Sequence, residues 1–321
     1  MVNLAKSVSL KNWPGVRSQI ETNVQNILGA IPDERVELQT KTVDELQFPG
    51  YVRRRINYFV GEWERISAWL FVPDGKDEVP GILCCHQQVA QGKDEPAGLE
   101  GDGVLAFAQH YAELGYVTLA PDSITAGDRV SSGLDPYDTR LFYKDNPRMS
   151  ALGKVLADHR YAVDALCEAK CVDAARIGVV GHGFGGHNAL LLAAFDERVQ
   201  ACVASCGFTR FAADKTPDRW AREEGFIYMP RLRDAVRAGE YPFDWEHILS
   251  LSAPCPTLVL CSLKDELFSN TQSCEKAVKL AKSVYRLLGA ADALGIHKHT
   301  DGHRMTPESL ITCDEWFDRW L

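Results

Sequence analysis

The chain has 321 residues, of which 45% are hydrophobic and 25% charged, the composition of a soluble globular protein with material for one large core or two smaller ones. Its formal net charge is -9 and no Lys/Arg cluster stands out, which argues against nucleic acid and anionic membrane surfaces as partners. The N-terminal stretch lacks the apolar core of a signal peptide, no run reaches membrane-spanning length, and the ten cysteines include no C-x-x-C pair, so the expectation is a reduced, cytoplasmic protein with no metal and no cofactor.

In chain order, residues 1–34 read as an N-terminal helical extension, with Ile20, Val24, Ile27 and Leu28 at helical spacing and a face that could serve a homodimer contact. The segments "YVRRRINYFV" and "ERISAWLFVP" alternate and predict an antiparallel start to a sheet. After Pro80 the pattern becomes strand then helix, repeatedly. The runs "GILCC", "YVTLA", "RIGVV", "VQACVA" and "TLVLC" are continuous and apolar, as strands covered on both faces should be. Amphipathic helices lie between them, one carrying Phe107, Tyr111 and Leu114, another Leu152, Val155 and Leu166, a third Cys274, Ala281 and Leu288. This alternation implies a mostly parallel sheet with helices on both sides, in one domain spanning 1–321. Residues from about 207 to 250, rich in aromatic and charged residues, exceed what a crossover needs and predict a small cap insertion.

The run "RIGVV" leads directly into Gly181-His182-Gly183-Phe184-Gly185, and a small-residue helix follows. A nucleophile elbow has this layout, in the form G-x-S-x-G, and presents one residue beyond the carboxyl ends of the strands. Gly181, Gly185 and Gly186 suit the close strand–helix approach, but Gly183 stands where the serine belongs. Glycine there relieves backbone strain that typically costs about 1–3 kcal/mol. The same letters match G-x-G-x-x-G, yet the next strand, "VQACVASCG", ends without the carboxylate that would hold a ribose. A dinucleotide site is therefore set aside.

In a hydrolase elbow an acid and then a histidine should follow. "TLVLCSLKDELF" delivers Asp265 just past a strand, and "HKHTDGHRMTPESL" places His303 in a loop before the last helix. Singly, Asp265 reads equally well as a turn carboxylate and His303 as a satisfied loop histidine. The order of all three elements favours a Ser-His-Asp type of arrangement at one sheet edge. The N–H of Phe184 and a backbone N–H of Gln87 or Gln88, in "HQQVAQGKDEPAG", are the expected oxyanion hole, although that segment could be a plain surface loop. His297 and His299 share a strand face and, lacking a third ligand, read as structural.

These motifs, together with "GYVTLAPDS", "GHGFGGHNALLLAAFDERV", "SCGFTRF", "YMPR", "PFDW" and the terminal "GH", resemble the dienelactone hydrolase-like and acetyl xylan esterase-like branch of the α/β-hydrolases, from about residue 35 onward. The resemblance implies that fold, a serine hydrolase acting on an ester or related acyl bond of a small molecule, Asp265 and His303 as acid and base, and serine at 183. Trp220, Tyr228, Arg231 and Phe243 fall in its cap motifs and are expected at the substrate pocket, although cap packing would explain each; His86 and His182 complete the expected substrate-binding set. Cys206 is a tempting substitute nucleophile, discounted because relatives carry it beside an intact serine.

Three readings of the glycine follow. The chain is an esterase whose nucleophile has been replaced, by design or by natural loss. Alternatively, it is a hydrolase, lyase or cyclase that uses His303 and Asp265 as a general base without an acyl-enzyme. Or it is a pseudoenzyme that only binds a ligand.

Overall fold

The computed structural model describes residues 1–4, 8–29, 31, 37–61, 64–75, 78–268 and 272–321. Positions 5–7, 30 and 32–34 of the predicted N-terminal extension lie outside them. Among the described residues, nine strands make one sheet: β1 (Thr40–Phe48), β2 (Tyr51–Phe59), β3 (Arg65–Pro73), β4 (Val79–Cys85), β5 (Val117–Pro121), β6 (Val172–His182), β7 (Val199–Ser205), β8 (Thr257–Ser262) and β9 (Leu294–His299). Their order is β1-β2-β3-β5-β4-β6-β7-β8-β9. The pairs β1/β2, β2/β3 and β3/β5 are antiparallel, and every pair from β5/β4 to β8/β9 is parallel. With helices on both faces, this is the α/β-hydrolase architecture the sequence implies.

The continuous apolar runs follow from burial on two sides, because successive side chains on a strand point to opposite faces. Ile82, Cys84, Val180, Val203 and Leu260 pack in one core, which includes Phe107, Tyr111 and Phe317 from the helices Phe107–Glu113 and Pro307–Trp320. Their strand neighbours Leu83, Cys85, Val179, Cys202 and Val259 enter the larger core on the opposite face, with the helices Ala151–Cys167, Phe184–Phe195 and Gln272–Leu287. β1 was not foreseen. Eight of its nine residues are exposed and its ladder is bulged between Thr42 and Asp44, so no apolar period marks it.

The helix Trp13–Leu28 buries Trp13, Ile20, Val24, Ile27 and Leu28, packing on Ala151–Cys167, Trp245–Ser252 and the turn Pro230–Leu232. The stripe that suggested a homodimer contact is thus covered within the chain. Between β7 and β8 come short 3₁₀ turns, the helix Arg233–Ala238 and then Trp245–Ser252. Every residue of that last helix is buried, and it packs against Phe184–Phe195 as part of the sheet's helical layer.

The elbow forms where β6 passes through Gly183 into Phe184–Phe195. A Cβ on Gly181 would stand 2.3 Å from the Gly185 backbone, one on Gly185 2.1 Å from the Cys85 carbonyl oxygen, and one on Gly186 2.7 Å from the Ser205 oxygen. The obstacles are all backbone, so they cannot rotate away. Gly185→Ala is therefore expected to destabilise the fold by about 3 kcal/mol or more, whereas Gly103→Ala, which enters open space, should be near neutral. Urea unfolding of the two variants checks this; equal stabilities would contradict the packing described.

Candidate active site

Gly183 has φ 54° and ψ -115°, a left-handed backbone that side chains rarely adopt. This sharp turn aims position 183 at the loop after β9. His303 Nε2 lies 3.0 Å from where a Cβ on Gly183 would be. On the far side of the ring, Nδ1 donates to Asp265 Oδ2 at 2.9 Å. The other carboxylate oxygen of Asp265 accepts the Leu267 and Phe268 amides at 2.9 and 2.8 Å. Burial would raise the pKa of Asp265, but the histidine and the two amides outweigh it and hold the carboxyl below its ordinary range. Glu266 accepts the His303 backbone N–H at 2.9 Å, which ties the histidine loop to the acid loop. The imidazole thus has one fixed tautomer and an Nε2 directed at the elbow.

The N–H of Phe184 opens its helix, where no intrahelical acceptor exists. The Gln87 carbonyl is pinned by His86 Nδ1 at 2.6 Å, the Val89 amide at 2.9 Å and the Tyr137 hydroxyl at 3.2 Å. In a planar trans peptide the next N–H points opposite to its carbonyl. The Gln88 N–H therefore turns away from His86 and Tyr137.

A cavity of about 190 Å³ lies over this turn, and Gln87, Gln88, Gly183, Phe184, Trp220, Tyr228 and His303 line it. These expected residues come together, with Asp265 behind the histidine. His187, Arg219, Arg222, Leu267 and Phe268 also line it. They were missed because a helical histidine, two arginines between β7 and β8 and two apolar residues in the loop after β8 carry no motif of their own.

Four expected pocket residues lie elsewhere. Arg231 donates to the Asn26 and Arg148 carbonyls and borders a separate cavity of about 450 Å³ with Gln25, Leu156 and Arg160, away from the elbow. Phe243 is buried against Phe211, ring centroids 5.7 Å apart, in the packing of the segment between β7 and β8. His86 is buried beneath the Gln87 loop, its Nε2 accepting the Ser123 amide at 3.0 Å, so it supports the loop rather than facing a ligand. His182, one residue before the turn, bonds Ser205 Oγ at 2.9 Å and places its ring 4.7 Å from that of His303. Burial first, then the neighbouring His303, lowers its pKa to about 3, so it is neutral.

Cys206, at φ 45°, has its Sγ 3.8 Å from His299 Nε2. Its donor atom and those of Asp265 and His303 lie within 4.8 Å of one another, a trio that could hold a metal. Asp265 and His303 are already satisfied by each other, and burial pushes the Cys206 thiol far above its ordinary value, so it is a poor thiolate nucleophile.

Residues 66–287 match the dienelactone hydrolase family. The chain belongs to that family. It is 28% identical to YtaP of Bacillus subtilis (strain 168) over 320 residues, covering 95% of this chain and all of that protein. In structure it resembles a glucuronoyl esterase from Solibacter usitatus (TM-score 0.80, 16% identity, 97% of this chain and 94% of that one). It also resembles an acetyl xylan esterase from Paenibacillus sp. R4 (TM-score 0.64, 18% identity, 98% and 96%). At these identities the two structures speak for the fold.

Burial lowers the pKa values of His159, His182 and His187 to about 3, 3 and 4. Below the unfolded value near 6.5, the unfolded chain binds protons that the folded chain refuses, so stability must fall with acidification. Three such groups give a slope of about 4 kcal/mol per pH unit below pH 6, while stability is retained above 6.5. Urea midpoints measured from pH 7 to pH 5 should drop steeply; a flat profile would contradict the neutral burial of these rings.

Proposed function

We propose that this member of the dienelactone hydrolase family is an ester hydrolase of small molecules, acting on an ester or related acyl bond, whose acyl-enzyme step is removed by glycine at 183. The observation that carries this reading is the 3.0 Å separation between His303 Nε2 and the Cβ position of residue 183, with Asp265 bonded behind the ring. A base so placed serves a hydroxyl on that residue. The amides of Phe184 and Gln88 supply the expected oxyanion donors. Without the hydroxyl, a triad typically keeps only about 10³–10⁴-fold acceleration over water.

The same spacing favours a second, direct route in the chain as it stands. It is tighter than most Cβ contacts, so a serine at 183 requires the imidazole to give by a few tenths of an ångström, whereas glycine leaves Nε2 facing the turn with no side chain between them. In the direct route a water gives a proton to His303 Nε2 and its oxygen bonds to the ester carbonyl carbon. The tetrahedral oxyanion rests on the two amides. It collapses by breaking the bond to the alcohol oxygen, which takes the proton back from Nε2.

All ten cysteines are free, which suits the reducing cytoplasm we assign to this chain. No helix among the described residues is long and apolar enough to cross a membrane. A homodimer would need a surface other than the apolar stripe of Trp13–Leu28.

Gly183→Ser is expected to raise kcat/KM for 4-nitrophenyl acetate by about 10²-fold or more, and adding His303→Ala should abolish the gain. A folded Gly183→Ser variant with unchanged activity would contradict the esterase reading. With glycine kept at 183, His303→Ala should lower residual hydrolysis by about 10²-fold or more; an unaffected residual rate would remove the direct route.

A further inference from the structure

His187 lies one helical turn beyond the elbow and lines the cavity. The residue is only 2% exposed. Phe184, Trp220 and Tyr228 enclose the ring, with centroids 5.3, 5.3 and 5.6 Å away. Nδ1 lies 3.0 Å from the Gly207 carbonyl oxygen. A carbonyl only accepts, so Nδ1 carries the proton and Nε2 presents a lone pair. Burial keeps the ring neutral in this form. No group among the described residues donates to that nitrogen.

The two nitrogens therefore do different things. Nδ1 anchors the start of the elbow helix to the Gly207 backbone, a structural task. Nε2 is a buried acceptor of a residue that lines the cavity, and buried acceptors in folded proteins are nearly always paired. Two neighbouring donors are spent elsewhere, because the Tyr228 hydroxyl goes to Gln88 Oε1 at 2.5 Å and the Trp220 indole N–H to Asp214 at 3.2 Å.

We infer that His187 Nε2 is a specificity determinant, accepting a hydrogen bond from a hydroxyl group of the substrate, so that the site selects hydroxylated esters over their unsubstituted counterparts. The inference deepens the ester-hydrolase reading and rests on it for the reacting group of the ligand. Its physical basis is asymmetry. A hydroxylated ester pairs the acceptor, whereas an ester without the hydroxyl enters the cavity and leaves it unpaired and cut off from water. The alternative occupant is a water bridging Nε2 to the Trp245 indole N–H, which is also unpaired, on a ring centred 6.0 Å away.

The test uses the unmutated chain with ¹⁵N-labelled histidine and four probes: methyl butanoate and its 2-, 3- and 4-hydroxy derivatives. At least one hydroxy ester should move the His187 Nε2 resonance saturably and bind about tenfold or more tightly than methyl butanoate. His187→Phe should erase that preference. The inference is overturned if no hydroxy ester moves the resonance, or if all four probes bind alike, the outcome a permanently bridging water would give. The titration reads binding and not turnover, so its failure and a failure of Gly183→Ser to gain esterase activity are separate results.

Discussion

The site depends on one close contact. The helix after the elbow begins so near β4 and β7 that three positions must lack a side chain: 181 against its own helix, 185 against the Cys85 carbonyl and 186 against the Ser205 carbonyl. This approach fixes the direction in which residue 183 points, and with it the distance to His303. It also brings the Phe184 amide and the Gln87–Gln88 loop to the same end of the sheet, because β4 and β6 are adjacent parallel strands. The constraint concerns backbone volume, so it persists when the residue at 183 loses its hydroxyl. The fold and the chemistry of the elbow are therefore separable, and this chain retains the first.

Electrostatics divides the histidines in and around the site into two kinds. His182, His187 and His159 are enclosed, and burial keeps them neutral. His303 alone among these has a carboxylate on Nδ1, and Asp265 stays ionised because the histidine and two amides stabilise its charge. An imidazolium formed during a proton transfer thus has a counter-charge at one position only. Neutral His182, with its ring 4.7 Å from His303, surrounds that position without competing for the proton.

Much of this was legible in the sequence where burial writes a clear pattern. β4 to β8 appear as unbroken apolar runs because both faces of the sheet are covered. The elbow glycines, Asp265 and His303 were legible because chain order and strand ends fix where they meet. β1 was not, since an exposed strand has no apolar face to betray it. Arg231 and Phe243 show the complementary failure. Aromatic and charged residues in an insertion look the same whether they line a pocket or pack the cap, and only coordinates separate Trp220 and Tyr228 from Phe243. His187 was invisible as a site residue because it lies in a small-residue helix whose buried positions give no hint of an unpaired nitrogen.

The central claim is that His303, steadied by Asp265, is placed to activate a hydroxyl at position 183. Mass spectrometry of the Gly183→Ser protein after treatment with an alkyl fluorophosphonate tests it most directly, since only an activated serine is labelled at a useful rate. A single phosphonyl adduct on residue 183, lost when Asp265 or His303 is also replaced, is the predicted result. An unlabelled but folded protein, or an adduct on Cys206 instead, would contradict the account.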